Sequence, residues 1–286
     1  MDSKRTTAYK FRAWREKDDL KPAYRTVIDA IGALLRNNKE DIHFCGPMGS
    51  LTEDIDITVI LREDPDDPAN FTRYTNLIAQ FRTLQEALLT NNIRMAVFPC
   101  FRLEMFVEDY NDGISTDTDN VYVHLLVYPS LPTFLAWESD LLGYVILDIT
   151  DPFWPTDIDL DAVRQRITLK AIPDRLSPYL SLLYESYRFM AGSQLPEPLR
   201  RREALHKLRY VLRFAIFEVY YADAYLRGDI PFPDKAAIRS APADGNDMIK
   251  ILRELDRFGK DDPPPVSALS DLYRDAAQSL SDLLKT

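Results

Sequence analysis

The sequence predicts an α+β protein, with a mixed sheet and flanking helices first and an α-helical bundle after it. Three observations predict it. Runs dominated by β-branched residues, such as Asp54 to Leu61 (DIDITVIL), are confined to the first half of the chain. In the second half apolar residues recur at helical spacing. Between the two, prolines and acids interrupt the pattern near 150–160 (TDPFWPTDIDL), which places a boundary there and gives domains at 1–155 and 156–286.

Taken in order, residues 22–37 (PAYRTVIDAIGALLRN) set Tyr24, Val27, Ile28, Ile31, Leu34 and Leu35 on one helical face, and Asn37 to Glu40 end that pattern. Ile42 to Cys45 reads as a short strand stopping at Gly46-Pro47, and Asp54 to Leu61 as the next strand. A polar loop at 63–70 leads into a long amphipathic helix over 71–91. Apolar runs at 93–98 and 100–107 follow, with Pro99 between them marking a bend or an edge position. The segment 109–120 reads as an exposed loop and 121–128 (VYVHLLVY) as a further strand. Helical signals then occupy about 161–171, 174–192, 197–227, 245–258 and 265–284, with linkers at Asp229 to Pro233 and Asp261 to Pro265.

Charge narrows the function classes. The net charge is −10, and residues 1–155 carry all of the excess, with 15 Lys and Arg against 25 Asp and Glu, while 156–286 hold 20 of each. An acidic surface repels phosphate backbones, so a sequence-independent nucleic-acid platform is disfavoured, and a cation, whether a metal ion or a polyamine-like substrate, is welcome. Acidity that serves solubility alone is the plainer reading. The cysteines, Cys45 and Cys100, follow no metal or redox spacing and sit in apolar stretches, which predicts reduced thiols and a cytoplasmic location. The charged start, Met1 to Arg15, lacks the apolar core of a signal peptide, and no run approaches the roughly 18 apolar residues of a membrane span.

The stretch that carries chemistry is Gly46 to Val59, GPMGSLTEDIDITV. In a strand, residues i and i+2 share a face about 6.6 Å apart, so Asp54 and Asp56 aim at one point while Ile55 and Ile57 turn into the core. Carboxylates so paired can hold two magnesium ions about 3.5–4 Å apart, the arrangement of two-metal phosphoryl chemistry. Gly49 permits close backbone approach, and Ser50 can offer an N–H and a hydroxyl to phosphate. Ordinary amphipathic alternation of acid and isoleucine is the competing explanation. The histidines, His43, His124 and His206, have no ligand spacing.

Gly49-Ser50 followed by Asp54-Ile55-Asp56-Ile57 resembles the signature of the polymerase-β-like nucleotidyltransferase superfamily, and the overall plan resembles its kanamycin and other aminoglycoside enzymes of antibiotic resistance. The resemblance covers the motif region well and the helical tail loosely. It implies a catalytic nucleotidyltransferase domain at 1–155 and a helical domain at 156–286 that completes the cleft. It also implies a Gly49-Ser50 turn on the nucleoside triphosphate (ATP above all) and two Mg2+ ions on Asp54 and Asp56, with a third acid on a neighbouring strand. The matching position is Glu104 in FRLEMFV; its alternative is a solvent-facing carboxylate or a pair with Arg102 or Arg94. One departure stands out: only Leu51-Thr52-Glu53 separate Gly-Ser from the acid pair, fewer residues than the family places there, which leaves the phosphate contact open among Ser50, Thr52 and the Gly46 backbone.

In the helical half the resemblance points to Glu185, in DRLSPYLSLLYESYRFMAG, as general base on the acceptor hydroxyl, with Leu182, Leu183, Tyr184 and Tyr187 keeping it partly dry. Glu218 and Asp223 are the reserves, and an i,i+3 pair with Arg188 is the plain alternative for Glu185. Arg202, His206, Arg209 and Arg213 share one side of the next helix, and by the same resemblance Lys207 and Arg213 are the preferred pair on the triphosphate. A solvated basic face would show the same spacing. Phe214, Phe217, Tyr221 and Tyr225 read as core or dimer contact. The expected reaction is transfer of a nucleoside monophosphate to a hydroxyl of a small, cationic, aminoglycoside-like acceptor. Nucleic acid and membrane are not expected partners, and the oligomeric state is open. Two other readings keep the fold: transfer to a protein or tRNA, with Arg200-Arg201-Arg202 as a landing patch, and a non-catalytic nucleotide-binding or antitoxin-like partner.

Overall fold

The computed structural model describes residues 14, 20–48, 55–62, 69–99, 119–138, 140–168, 170–192, 196–242, 247–259 and 262–285. They fall into two compact units divided between Val163 and Arg164. Among the described residues the fold is α+β, with eleven α-helices and a four-stranded mixed sheet.

The first unit opens with α1 (Pro22–Asn37), whose first-turn proline costs no hydrogen bond, because that N–H has no intrahelical partner. Its buried face includes Tyr24, Val27, Ile28, Ile31 and Leu35 of the stripe expected from spacing, while Leu34 is only partly buried. Strands β1 (Ile42–Met48) and β2 (Ile55–Leu61) pair antiparallel. Helix α2 (Ala69–Leu89) leads to β3 (Ile93–Pro99), and β4 (Asp119–Tyr128) inserts between β2 and β3, parallel to both. The order is β1-β2-β4-β3. One sheet face, with Ile55, Ile57 and Val59 of β2 and Val121, Val123 and Leu125 of β4, forms a single core with α1, α2 and Phe153. Each fully buried aliphatic side chain there contributes about 1.5–3 kcal/mol. The other face is covered by α3 (Leu131–Trp137), whose Phe134 meets Tyr128 edge-on with ring centroids 4.6 Å apart. Helix α4 (Asp140–Ile149) packs on α3.

β1 runs three residues beyond the predicted end at Cys45, through Gly46-Pro47 to Met48, and the reason lies at its outer edge. The Phe153 and Asp151 N–H groups donate to the carbonyls of Cys45 and Pro47, each at 3.0 Å. A residue's N–H and C=O leave a strand on the same side, so the donor that Pro47 lacks falls on this outer edge. Gly46 lets that segment approach: a Cβ there would lie 2.4 Å from the Asp151 carbonyl oxygen and 2.8 Å from Pro152 Cα. Gly46→Ala should therefore destabilise the protein by about 3 kcal/mol, read as a lowered urea midpoint; an unchanged midpoint would show that the 151–153 segment yields freely.

The second unit contains α5 (Leu160–Thr168), which spans the division, then α6 (Ile172–Gly192) and α7 (Glu197–Tyr220). α8 (Ala222–Arg227), α9 (Lys235–Arg239), α10 (Asp247–Leu255) and α11 (Val266–Leu283) complete it. α7 packs on α6, α10 and α11 around Leu183, Leu205, Leu212, Ile216, Leu252 and Leu269. The helix expected over 197–227 is two helices, broken at Tyr221, which leaves helical geometry at φ −126°. α8 stops at Gly228, whose φ of +79° is the left-handed cap that glycine adopts freely. α9 follows the predicted linker, begun by the Asp234 carboxylate accepting from Ala237 N–H at 2.7 Å. Among the described residues no helix is long and apolar enough to cross a membrane.

Candidate functional site

Asp56 is the second residue of β2, and its neighbours in register are Met48 on β1 and His124 on β4. Its side chain lies on the face opposite Ile55 and Ile57, as period-two alternation requires. That face changes character along the strand. Thr58, one step further, is fully buried and donates to Met48 Sδ at 3.7 Å, and Ile60 beyond it is buried too. Asp56 keeps 31% of its side-chain surface, and His124 keeps 25%. The polar pair is therefore partly exposed, near the start of β2, where Thr58 and Ile60 further along are buried. Asp56 Oδ1 lies 3.0 Å from His124 Nδ1, within hydrogen-bonding reach of an Nδ1–H.

This pair was not legible as a constellation in the sequence. Its one trace is a polar residue in VYVHLLVY on the face of Tyr122 and Leu126, and the parallel register of β2 and β4 supplies the rest. Gly49, Ser50, Asp54 and Glu104 lie outside the described residues. Among the described residues no group of three or more His, Cys, Asp or Glu side chains gathers as a metal cage. Asp56 and His124 offer a carboxylate oxygen and an imidazole nitrogen on one partly exposed face, a donor set that suits a divalent ion. The strand next to β2 is β4, so the side chain directly beside Asp56 on that flank is His124. The other histidine of this unit's strands, His43, pairs with Asp157 at 3.0 Å. Cys45 is a free buried thiol whose burial pushes its pKa up, which makes it an inert core residue.

The remaining predicted site residues lie in the second unit. Glu185 is exposed on α6, and its neighbours Tyr184 and Tyr187 are exposed with it, at 62% and 41%. The partial burial expected for Glu185 is not there, because α6 turns Leu183, Ser186 and Met190 inward instead. If Glu185 is the general base, Glu185→Gln lowers turnover about 10²-fold or more with nucleotide affinity unchanged; turnover near wild type removes it from the chemistry.

The buried acid of this unit is Glu218 on α7, 1% exposed. Arg175 of α6, itself buried, brings Nε to 3.5 Å from Glu218 Oε2 and donates from Nη2 to Asp223 Oδ1 at 2.9 Å. Tyr179 OH donates to Glu218 Oε1 at 3.4 Å. Burial pushes the Glu218 carboxyl up to about 8, against the opposing pull of Arg175 and Tyr179. Both reserve acids thus belong to one arginine-centred network.

The basic stripe of α7 is largely engaged within its own unit. Arg209 donates to the carbonyls of Leu255 and Phe258, the latter at 2.7 Å, and so caps the C-terminal end of α10. Arg209 and Arg213 each stand 3.6 Å from Asp256, which also pairs with Arg239. Burial lowers the pKa of both Arg209 and Arg213. Lys207 Nζ lies 5.7 Å from the Tyr210 ring centroid, a cation–π contact. Phe214 and Phe217 pack among Tyr179, Tyr210, Tyr225 and Phe232. No protein-family model, curated protein or solved structure matches the chain.

Proposed function

We propose that the chain is a Mg2+-dependent nucleotidyltransferase that moves a nucleoside monophosphate, from ATP above all, to a hydroxyl of a small cationic acceptor of aminoglycoside type. The observation that carries the reading is the placement of Asp56: a carboxylate at the start of β2, on the open part of a sheet face, with Ile55 and Ile57 in the core behind it. The Gly49-Ser50 and Asp54-x-Asp56 pattern supports it from the sequence, as does the acidic excess of residues 1–155.

In this reading the acceptor oxygen attacks the α-phosphorus in line, an O–P bond forms, and the α,β-anhydride bond breaks with its electron pair leaving on pyrophosphate. The hydroxyl proton passes to a carboxylate, for which Glu185 is proposed. Asp54, Asp56 and Glu104 would hold the metal. Magnesium, when bound, supplies charge stabilisation at the attacking and leaving oxygens. Gly49 and Ser50 are the proposed contacts to the triphosphate. Lys207 and Arg213 are proposed to neutralise it, Arg213 from a side chain that already shares Asp256.

A small acceptor is favoured over tRNA by the state of the arginine run. Arg200 donates to the Met190 carbonyl at 2.9 Å, and Arg201 donates to those of Pro263 and Pro264. These side chains brace neighbouring segments of the unit rather than forming a free cationic patch. The test is pyrophosphate release with each nucleoside triphosphate, Mg2+ and a panel of aminoglycosides, polyamines, tRNA and protein acceptors. Release that depends on a small cationic acceptor supports the proposal. Label transferred to tRNA or protein would move the acceptor, and no release with any combination rejects the activity.

A further inference from the structure

The approach of Asp56 to His124 has the dimensions of two ligands on one ion. Two donor atoms at about 2.1 Å from an octahedral cation, at right angles, are separated by √2 times that distance, about 3.0 Å. Asp56 Oδ1 and His124 Nδ1 are 3.0 Å apart. The residues are direct partners across the parallel β2–β4 ladder, so the backbone fixes their spacing. Both side chains retain surface, which gives an ion and its remaining water ligands a way in. On the same sheet face Met48 flanks Asp56 from β1, and Thr58, two residues further along β2, donates to the Met48 sulfur.

We infer that His124 is a nitrogen ligand of the ion Asp56 holds, so that the site takes a transition-metal ion such as manganese(II) in preference to magnesium. The inference rests on the proposed metal-binding role of Asp56. Its chemistry is that of ligand hardness. Magnesium favours all-oxygen shells and keeps its water, whereas imidazole suits first-row transition metals. Without an ion, the Nδ1–H of the neutral ring hydrogen-bonds to the carboxylate. With one, the ring proton resides on Nε2 and the Nδ1 lone pair faces the metal, a change of tautomer with no change in proton count. A histidine that merely orients Asp56 would instead stay outside the shell, donating to it.

Pulsed electron paramagnetic resonance on the full chain loaded with manganese(II) alone separates these cases. The expected result is 14N modulation from a directly bound imidazole, lost in His124→Gln, with manganese affinity down at least about tenfold and magnesium affinity little changed. His124→Asp, which restores an oxygen ligand, should keep manganese binding without the nitrogen signal and narrow the preference over magnesium. Absence of 14N modulation in the wild type, or its survival in His124→Gln, overturns the inference. Asp56→Asn distinguishes that failure from failure of the underlying reading: loss of manganese and magnesium binding keeps Asp56 as a ligand, whereas unchanged binding of both removes the metal role and the inference with it.

Discussion

Asp56→Asn lowers acceptor-dependent pyrophosphate release at least about 10²–10³-fold, the scale of removing one fixed electrostatic contact from a charged transition state, and leaves the protein folded. Both halves of that expectation come from the same geometry. The side chain is 31% exposed and makes no contribution to the core of Ile55, Ile57 and Val59, so exchanging one oxygen for an amide changes no packing. Asparagine is also isosteric and keeps a carbonyl oxygen that can accept from His124 Nδ1–H, so the cross-strand contact survives. What disappears is the negative charge and half of the oxygen donor capacity, the two properties a divalent ion uses. Pyrophosphate release under saturating nucleotide, with the thermal midpoint measured alongside, checks it. A variant that retains most of its activity would show that Asp56 is ordinary amphipathic patterning on a strand.

What could be read in the sequence was what local period encodes. DIDITVIL set Ile55 and Ile57 inward and Asp56 outward, and the structure has that alternation. The stripe Tyr24, Val27, Ile28, Ile31 and Leu35 made α1 legible in the same way. Pairing between distant segments leaves no such trace. That β4 enters between β2 and β3 depends on a parallel register with no tight turn to announce it, so His124 read as a plain strand residue. The same limit applied to Arg213. Its spacing on α7 described a basic face, while its partner Asp256 lies on the segment after α10, beside Arg209 and Arg239. The exposure of Glu185 has a third reason: its flanking Leu182, Tyr184 and Tyr187 suggest a dry surround, yet residues adjacent in sequence point in different directions on a helix, and all three are themselves exposed. Gly49, Ser50, Asp54 and Glu104 lie outside the described residues and rest on the sequence alone.

Above about pH 8, where Glu218 is ionised, Arg175→Met should destabilise the protein by about 3–5 kcal/mol, because it strips the compensating charge from a carboxylate that cannot reach water. Glu218 is 1% exposed and Arg175 5%, whereas Asp223, the third member, is largely exposed and can resolvate. The loss therefore falls on Glu218. Replacing the acid as well, in Arg175→Met with Glu218→Gln, should recover most of it, since no buried charge then remains. A second signature is pH. Burial raises the Glu218 carboxyl to about 8 in the folded chain, from 4.5 as the ordinary value. Arg175 and Tyr179 of α6 pull it down and Asp223 of α8 pushes it up, without overcoming burial. The folded state thus holds a proton that the unfolded state releases, and the stability linked to it is complete below about pH 4.5 and lost as pH rises through about 8. Across that window urea midpoints of the full chain should fall in the wild type and fall less in Glu218→Gln, with hydrogen exchange in α6 and α7 reporting the same difference. Parallel pH profiles for the two proteins would show that Glu218 stays ionised and that Arg175 fully offsets its burial.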